Sequence, residues 1–354
     1  MLNYRNGLDE MPTYDGVEKN YRIKVNANES TMNLPPTVEE RVINRLAMTA
    51  LNRYPGEGYS SLVKQIAKNF SVDASQIILG NGSSEIIEKV FHAFGGEGRS
   101  VVFPQPSFSM YKIYAKAAES KGIAFDLDEN FDLDVEAFIK KVRAVNANLA
   151  VICNPNNPTG NALTPEQVEK IAASIDCAFL LDEAYVEFYG KSCVDLVAKY
   201  PNLLVARTFS KAYGLAGARV GYMIAQKDVA QMVEKTFMPY HMNVLSLAAA
   251  DIVYQMRHEF IPRLQMITAE RERLAENLRT LPGIKVFPSQ TNFLLINFAR
   301  ADELEYYLDK IGIGVRYFSP NAFGLWNCLR ISIGTRDENE QVFNAIKTFM
   351  EVWL

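Results

Sequence analysis

Histidine is scarce in this chain. Three occur in 354 residues, His92, His241 and His258, and they do not cluster. A histidine metal site or a Ser-His-Asp triad therefore has little to be built from. The four cysteines, Cys153, Cys177, Cys193 and Cys328, are scattered without a CxxC pair. That argues against a zinc site and for reduced thiols in a cytoplasmic setting. An excess of basic charge is also missing. A formal net charge of −4 leaves no electrostatic footprint for nucleic acid. No apolar run is long enough to span a bilayer, and the opening MLNYRNGLDEMPTYDG lacks the charged-then-apolar order of a signal peptide. Neither repeats nor low-complexity tracts are seen. These absences point away from membrane, nucleic-acid and metal chemistry and toward small molecules.

What is present is an ordinary globular composition, 48% hydrophobic and 22% charged. The length exceeds what one typical core supports, so one large and one small domain are expected. Residues 1–35 read as an arm of loop and extended chain that joins the small domain. Pro35-Pro36-Thr37 leads into a helix, VEERVINRLAM (38–48), then a loop, LNRYPGEGYSS, then a helix over 61–69. From there strand and helix alternate: QIILG, RSVVFPQP, GIAFDLD, NLAVIC, CAFLLDEAYVEF (ending in Asp182, Glu183, Ala184 and Tyr185) and LLVA (203–206) are strands, with helical patterns between. Such a series implies a mostly parallel sheet flanked by helices, over 36–245. After about 245 the character changes. Two helices lead into short strands IKVFP, NFLLINF, IGVRYF and CLRISIG, which read as a smaller α+β domain, 246–354, with a largely antiparallel sheet.

One stretch organises the chemistry, LLVARTFSKAYGLAGARVGYMIA at 203–225. It places Lys211 just past a strand end, with Thr208 and Ser210 upstream and Arg219 downstream. Hydroxyls and an arginine suit a phosphate monoester, and a lysine beside them can form an imine with a carbonyl. Phosphate and aldehyde on one small molecule suggest pyridoxal phosphate. The alternative is a surface turn with a solvated lysine. Asp182, Asn157, Phe108 and the Gly80-Asn81-Gly82-Ser83-Ser84 turn also follow strands. In a parallel sheet, loops at the strands' carboxyl ends meet at one edge, which is where ligands sit. On that reading Asp182 pairs with the pyridine nitrogen and Tyr185 and Asn157 donate to the phenolate oxygen. Ser83, Ser84, Thr208, Ser210 and Arg219 take the phosphate, and Phe108 stacks on the ring.

VNANES, LNRYPGEGY, GNGSSE, CNPNNPTG, LDEAYVEF, RTFSKAYGLAGARVGY and CLRISIGT, in that order from about residue 25 to 335, resemble fold-type I aminotransferases. Within them the chain is similar to histidinol-phosphate aminotransferases. The resemblance implies catalysis by Lys211, Asp182 and Tyr185, and transamination of L-histidinol phosphate with 2-oxoglutarate in histidine biosynthesis. It implies a homodimer in which Tyr54 reaches the neighbouring subunit's cofactor phosphate. Arg330 would bind the substrate's acidic group, with Arg316 as a second arginine for a phosphate. Tyr14, Asn28 and Tyr240 are further substrate-side candidates. Three departures stand out. Gly82-Ser83-Ser84-Glu85 replaces Gly-Ala-Asp-Glu, Phe108 replaces a tyrosine, and NANESTMNLPP replaces an N-E-N-P-like loop. The alternatives are a lyase similar to threonine-phosphate decarboxylases and a broad aromatic aminotransferase.

Overall fold

The computed structural model describes residues 8, 11, 19–319 and 322–353. The chain begins with a short strand, β1 (Ile23–Lys24), followed by two amphipathic helices, α1 (Pro36–Ala47) and α2 (Glu57–Phe70). The loop expected over LNRYPGEGYSS is shorter than its composition implies, because α2 starts at Glu57.

Strand and helix then alternate as β2 (Ile77–Gly80), α3 (Gly82–Phe94), β3 (Ser100–Gln105), α4 (Met110–Ala117), β4 (Lys121–Asp126) and α5 (Val135–Ala144). They continue as β5 (Leu149–Cys153), α6 (Pro165–Ser174), β6 (Ala178–Asp182), α7 (Val186–Tyr189), β7 (Leu203–Thr208), β8 (Gly221–Ile224) and α8 (Lys227–Glu234). Thr164 caps α6 through a reciprocal pair with Gln167, with Pro165 in the first turn where its missing N–H costs nothing.

The seven strands form one sheet in the order β2-β8-β7-β6-β5-β3-β4. β8 runs antiparallel to both its neighbours; the other pairings are parallel. β5, β6 and β7 are buried along their whole length, which explains their unbroken apolar runs. The carboxyl ends of β2, β3, β5, β6 and β7 therefore share one edge, and the loops after them converge there.

The rest of the chain carries α9 (Val244–Gln255), α10 (Ile261–Arg279), β9 (Lys285–Val286), β10 (Phe293–Asn297), α11 (Ala301–Lys310), β11 (Ile313–Gly314), β12 (Arg316–Tyr317), β13 (Cys328–Ser332) and α12 (Arg336–Trp353). A four-stranded antiparallel sheet has the order β12-β13-β10-β9. The run IGVRYF, expected as one strand, divides at Val315: β11 pairs in parallel with β1, while β12 joins β13. The long helix expected from His258 starts at Ile261, after a separate turn over 257–260. Residue 246 falls inside α9, which packs on α1 and α2.

The amino-terminal segment ties β11 to β13. Val25 donates its N–H to Gly314 O at 2.9 Å and accepts from Ser332 N at 2.8 Å. Residues 26–29 are thereby laid across the carboxyl edge of the large sheet.

Candidate active site

Asp182 closes β6 and is 3% exposed. Its Oδ2 accepts the Tyr111 hydroxyl at 2.8 Å and its Oδ1 the Ala184 N–H at 3.2 Å. Burial pushes its carboxyl up to about 6, against the pull of those two donors and of the Lys211 charge. Lys211 follows the next strand, β7, and donates Nζ to Ala27 O at 3.2 Å. Burial lowers its ammonium to about 8, helped by the Arg330 and Arg219 charges and opposed by Glu29 and Asp182.

Tyr185 is buried three residues beyond Asp182, with its ring edge-on to Phe293 at 5.3 Å. Its hydroxyl accepts from Asn28 Nδ2 at 3.0 Å, so its own proton remains to be donated. Burial raises that hydroxyl's proton affinity, against the Arg330 charge and the Asn28 bond. Asn28 is held on every side. It adopts φ 54°, its N–H donates to Ser332 Oγ at 2.9 Å, its Oδ1 accepts that hydroxyl at 3.0 Å, and its carbonyl accepts from Asn292 Nδ2 at 3.1 Å. Asn157, after β5, accepts Arg330 Nη1 on its Oδ1 at 2.6 Å, so its Nδ2 is the end turned to other partners.

A second group lies where β2 and β7 end and β8 begins. Ser83 and Ser84 occupy the first turn of α3, whose N-cap Asn81 makes no side-chain cap. Instead Glu85 Oε2 accepts the Asn81 N–H at 2.6 Å and its amide at 2.9 Å. That leaves the N–H groups of the first turn pointing outward. Thr208 Oγ1 accepts Ser210 N at 3.1 Å, and Arg219 Nη1 lies 3.5 Å from Ser210 Oγ. Gly82 adopts φ 76°, which favours glycine, and a Cβ there would stand 2.6 Å from Arg219 Nη2, so the guanidinium would have to move. At Gly221 a Cβ would stand 2.4 Å from Ser83 N.

The sequence of residues 22–346 matches the family described as aminotransferase class I and II. The chain belongs to that family.

Its closely similar relatives agree. The chain is 38% identical over 330 residues, 93% of each chain, to a histidinol-phosphate aminotransferase of Thermoanaerobacter pseudethanolicus. It superimposes with a TM-score of 0.85 at 28% identity on the histidinol-phosphate aminotransferase of Clostridium acetobutylicum, over 93% of this chain and 99% of that one. It also superimposes with a TM-score of 0.81 at 26% identity on an L-threonine-O-3-phosphate decarboxylase of Porphyromonas gingivalis, over 93% and 99%.

Aminotransferases of this class depend on pyridoxal phosphate, and the residues present fit that group. The Gly82–Arg219 cradle, the free turn of α3 and the hydroxyls of Thr208 and Ser210 suit a phosphate. Asp182, buried and already holding two donors, suits a protonated ring nitrogen. Lys211, with its lowered proton affinity, suits attack on an aldehyde.

Several expected residues lie differently from a simple gathering. Phe108 is half-buried and meets Tyr111 edge-on at 5.5 Å. Tyr54 and Tyr240 are both largely exposed and stack on each other at 4.5 Å. Arg316 is exposed on β12, directly opposite Arg330 across the antiparallel pair. Tyr14 lies outside the described residues. Tyr111, the partner of Asp182, lies outside the motifs. Its signal was its place one helical turn beyond Phe108. Ser332 and Asn292 hold Asn28 across more than 260 positions and leave no local mark.

Proposed function

We propose that this aminotransferase transfers the amino group of L-histidinol phosphate to 2-oxoglutarate. The observation that carries the reading is the register of β12 and β13, with Arg316 opposite Arg330. Side chains directly opposite in an antiparallel pair share a face, and like charges there are destabilising. An anion between two guanidinium forks relieves that repulsion, and a phosphate dianion has the charge and oxygens for both. The curated relative of that name, at 38% identity, supports the same donor.

When bound, pyridoxal phosphate supplies an aldehyde that exchanges amines and a ring that accepts the electron pair left by proton loss. The chain's own residues do the rest. Ser83, Ser84, Thr208, Ser210 and Arg219 hold the phosphate. Phe108 would stack on the cofactor ring. Asp182 keeps the ring nitrogen protonated, and Tyr185 and the Asn157 amide donate to the ring oxygen. Lys211 Nζ would take the proton from the substrate's α-carbon and deliver it to the cofactor's C4′ carbon. Arg330, with Arg316, positions the donor's phosphate and then a carboxylate of the oxo acid. Asn28 orients the Tyr185 hydroxyl at the substrate side, with Tyr240 as a further substrate contact.

The working unit is a homodimer. Met48, Leu51, Tyr54, Met238 and Tyr240 are exposed apolar residues that a second copy would cover. Tyr54 of the partner subunit would then reach the cofactor phosphate. Unpaired thiols at all four cysteines support a cytoplasmic location.

The loaded enzyme is mixed with L-histidinol phosphate without oxo acid, and the cofactor's visible band is followed. Loss of the band with stoichiometric ketone supports the reading; an unchanged band refutes this donor. The relative that is a threonine-phosphate decarboxylase motivates a second arm, since the arginine pair would also serve that substrate. Release of carbon dioxide from L-threonine phosphate would replace transamination by a lyase.

A further inference from the structure

We propose that Tyr111 is a positioning residue that keeps Asp182 ionised and aimed at the cofactor's ring nitrogen. It rests on the assignment of Asp182 to that nitrogen. Tyr111 sits in the first turn of α4, fully buried, and its hydroxyl donates to Asp182 Oδ2 at 2.8 Å. The ring is fixed by Phe91 (centroids 6.5 Å apart, nearly parallel), by Phe103 and by the edge of Phe108. It has little freedom to swing away. Ala184 N–H takes the other oxygen, so the carboxylate meets two fixed donors and presents its remaining lone pairs to a third.

The site needs this arrangement. A carboxylate at 3% exposure favours its neutral form, and a neutral acid gives a pyridinium no counter-charge. The groups facing Asp182 are few. Tyr111 and Tyr114 come from α4, Cys153 from the end of β5, Tyr185 from the segment after β6, and Lys211 from beyond β7. Lys211 is the cation among them, and its charge is lost when it reacts with the aldehyde. With the cofactor bound, the pyridinium would be the cation beside Asp182, and Tyr111 is the side-chain donor that holds the anion toward it. The same Phe108 that would lie on the cofactor ring packs edge-on against Tyr111, so α4 links the stacking residue to the nitrogen's counter-ion.

The test uses pyridoxamine phosphate, which lacks the aldehyde and cannot bond to Lys211. Its affinity for the full-length apoprotein is measured by fluorescence from pH 5 to pH 8. The probe's phosphate titrates in this range, so Asp182→Asn, which retains only that contribution, is the baseline. Relative to it, wild type should lose affinity as pH falls through about 6, where Asp182 takes up its proton. Tyr111→Phe removes a donor to the anion, so the midpoint should move up by about one pH unit. Site-specific difluorotyrosine at 111 is a stronger donor and should move it down. Phe91→Leu, which disturbs packing and spares the bond, should leave it in place. In the Asp182→Asn background Tyr111→Phe should add nothing. An unmoved midpoint in Tyr111→Phe overturns the proposal, as does an equal loss of affinity in both backgrounds. Should Tyr111→Phe not fold, the difluorotyrosine protein decides, and a midpoint that stays put overturns it. A pH-independent difference between wild type and Asp182→Asn would instead overturn the assignment of Asp182.

Discussion

Arg330 Nη1 donates to Asn157 Oδ1 at 2.6 Å and its Nη2 to Asn26 O at 2.7 Å. One guanidinium thereby joins the small sheet, the loop after β5 and the amino-terminal segment. Arg330→Ala should raise KM for acidic substrates about 10- to 100-fold, as expected for charge-assisted bonds, and spare cofactor binding. Arg330→Lys should not restore it, because one ammonium cannot span both partners in the geometry of a planar fork. Steady-state kinetics with both substrates, beside cofactor titration, measure this. An unchanged KM in Arg330→Ala would remove the arginine from the substrate site.

Arg316 faces Arg330 from the neighbouring strand. Arg316→Ala should raise KM about tenfold for a phosphorylated donor and leave KM for 2-oxoglutarate within about twofold. Equal losses for both would show that Arg316 does not select phosphate.

Lys211 reacts as the neutral amine, and its site lowers the proton affinity from 10.5 to about 8. The lowered value means that the neutral form dominates above pH 8 and falls tenfold per unit below it. The rate at which apoprotein captures pyridoxal phosphate should therefore rise with pH and level off above about 8. Arg330→Ala removes a neighbouring positive charge and should move that midpoint upward. Stopped-flow growth of the visible band reads both, and a wild-type rate still climbing at pH 9.5 would contradict the lowered value. Lys211→Ala should show no such band and lose turnover by on the order of 10⁴-fold.

Gly82→Ala meets two costs at once. The left-handed φ of 76° costs an L side chain about 1 kcal/mol, and the new methyl collides with Arg219. Gly190→Ala carries the same kind of strain at φ 78° with nothing within 4 Å. Both variants should melt a few degrees lower. Only Gly82→Ala should weaken cofactor binding, by at least about tenfold, since Arg219 must shift. Equal affinities in the two would detach Gly82 from the phosphate cradle.

Much of the fold was legible because it is locally written. Unbroken apolar runs such as LAVIC and AFLLD mark strands covered on both faces, and helical periodicity between them implies parallel pairing. The edge at which Lys211, Asp182 and Asn157 emerge follows from that alternation. Short strands were less legible. Nothing in IGVRYF says that Ile313 will pair with Ile23 while Arg316 pairs with Arg330. Two-residue strands carry no periodicity, and their partners lie far away in sequence.

The sequence by itself determined the architecture, the family and the set of side chains available at the strand ends, because motif and hydrophobic period are properties of adjacent residues. Tertiary structure alone decided how those side chains are held. It placed the Tyr111 hydroxyl on Asp182, Asn28 between Tyr185 and Ser332, and Arg316 opposite Arg330. It also stacked Tyr54 on Tyr240 at the surface. These relationships depend on strand order, register and burial, which arise only when distant segments pack. Those same packing contacts move Asp182 and Lys211 away from their ordinary proton affinities.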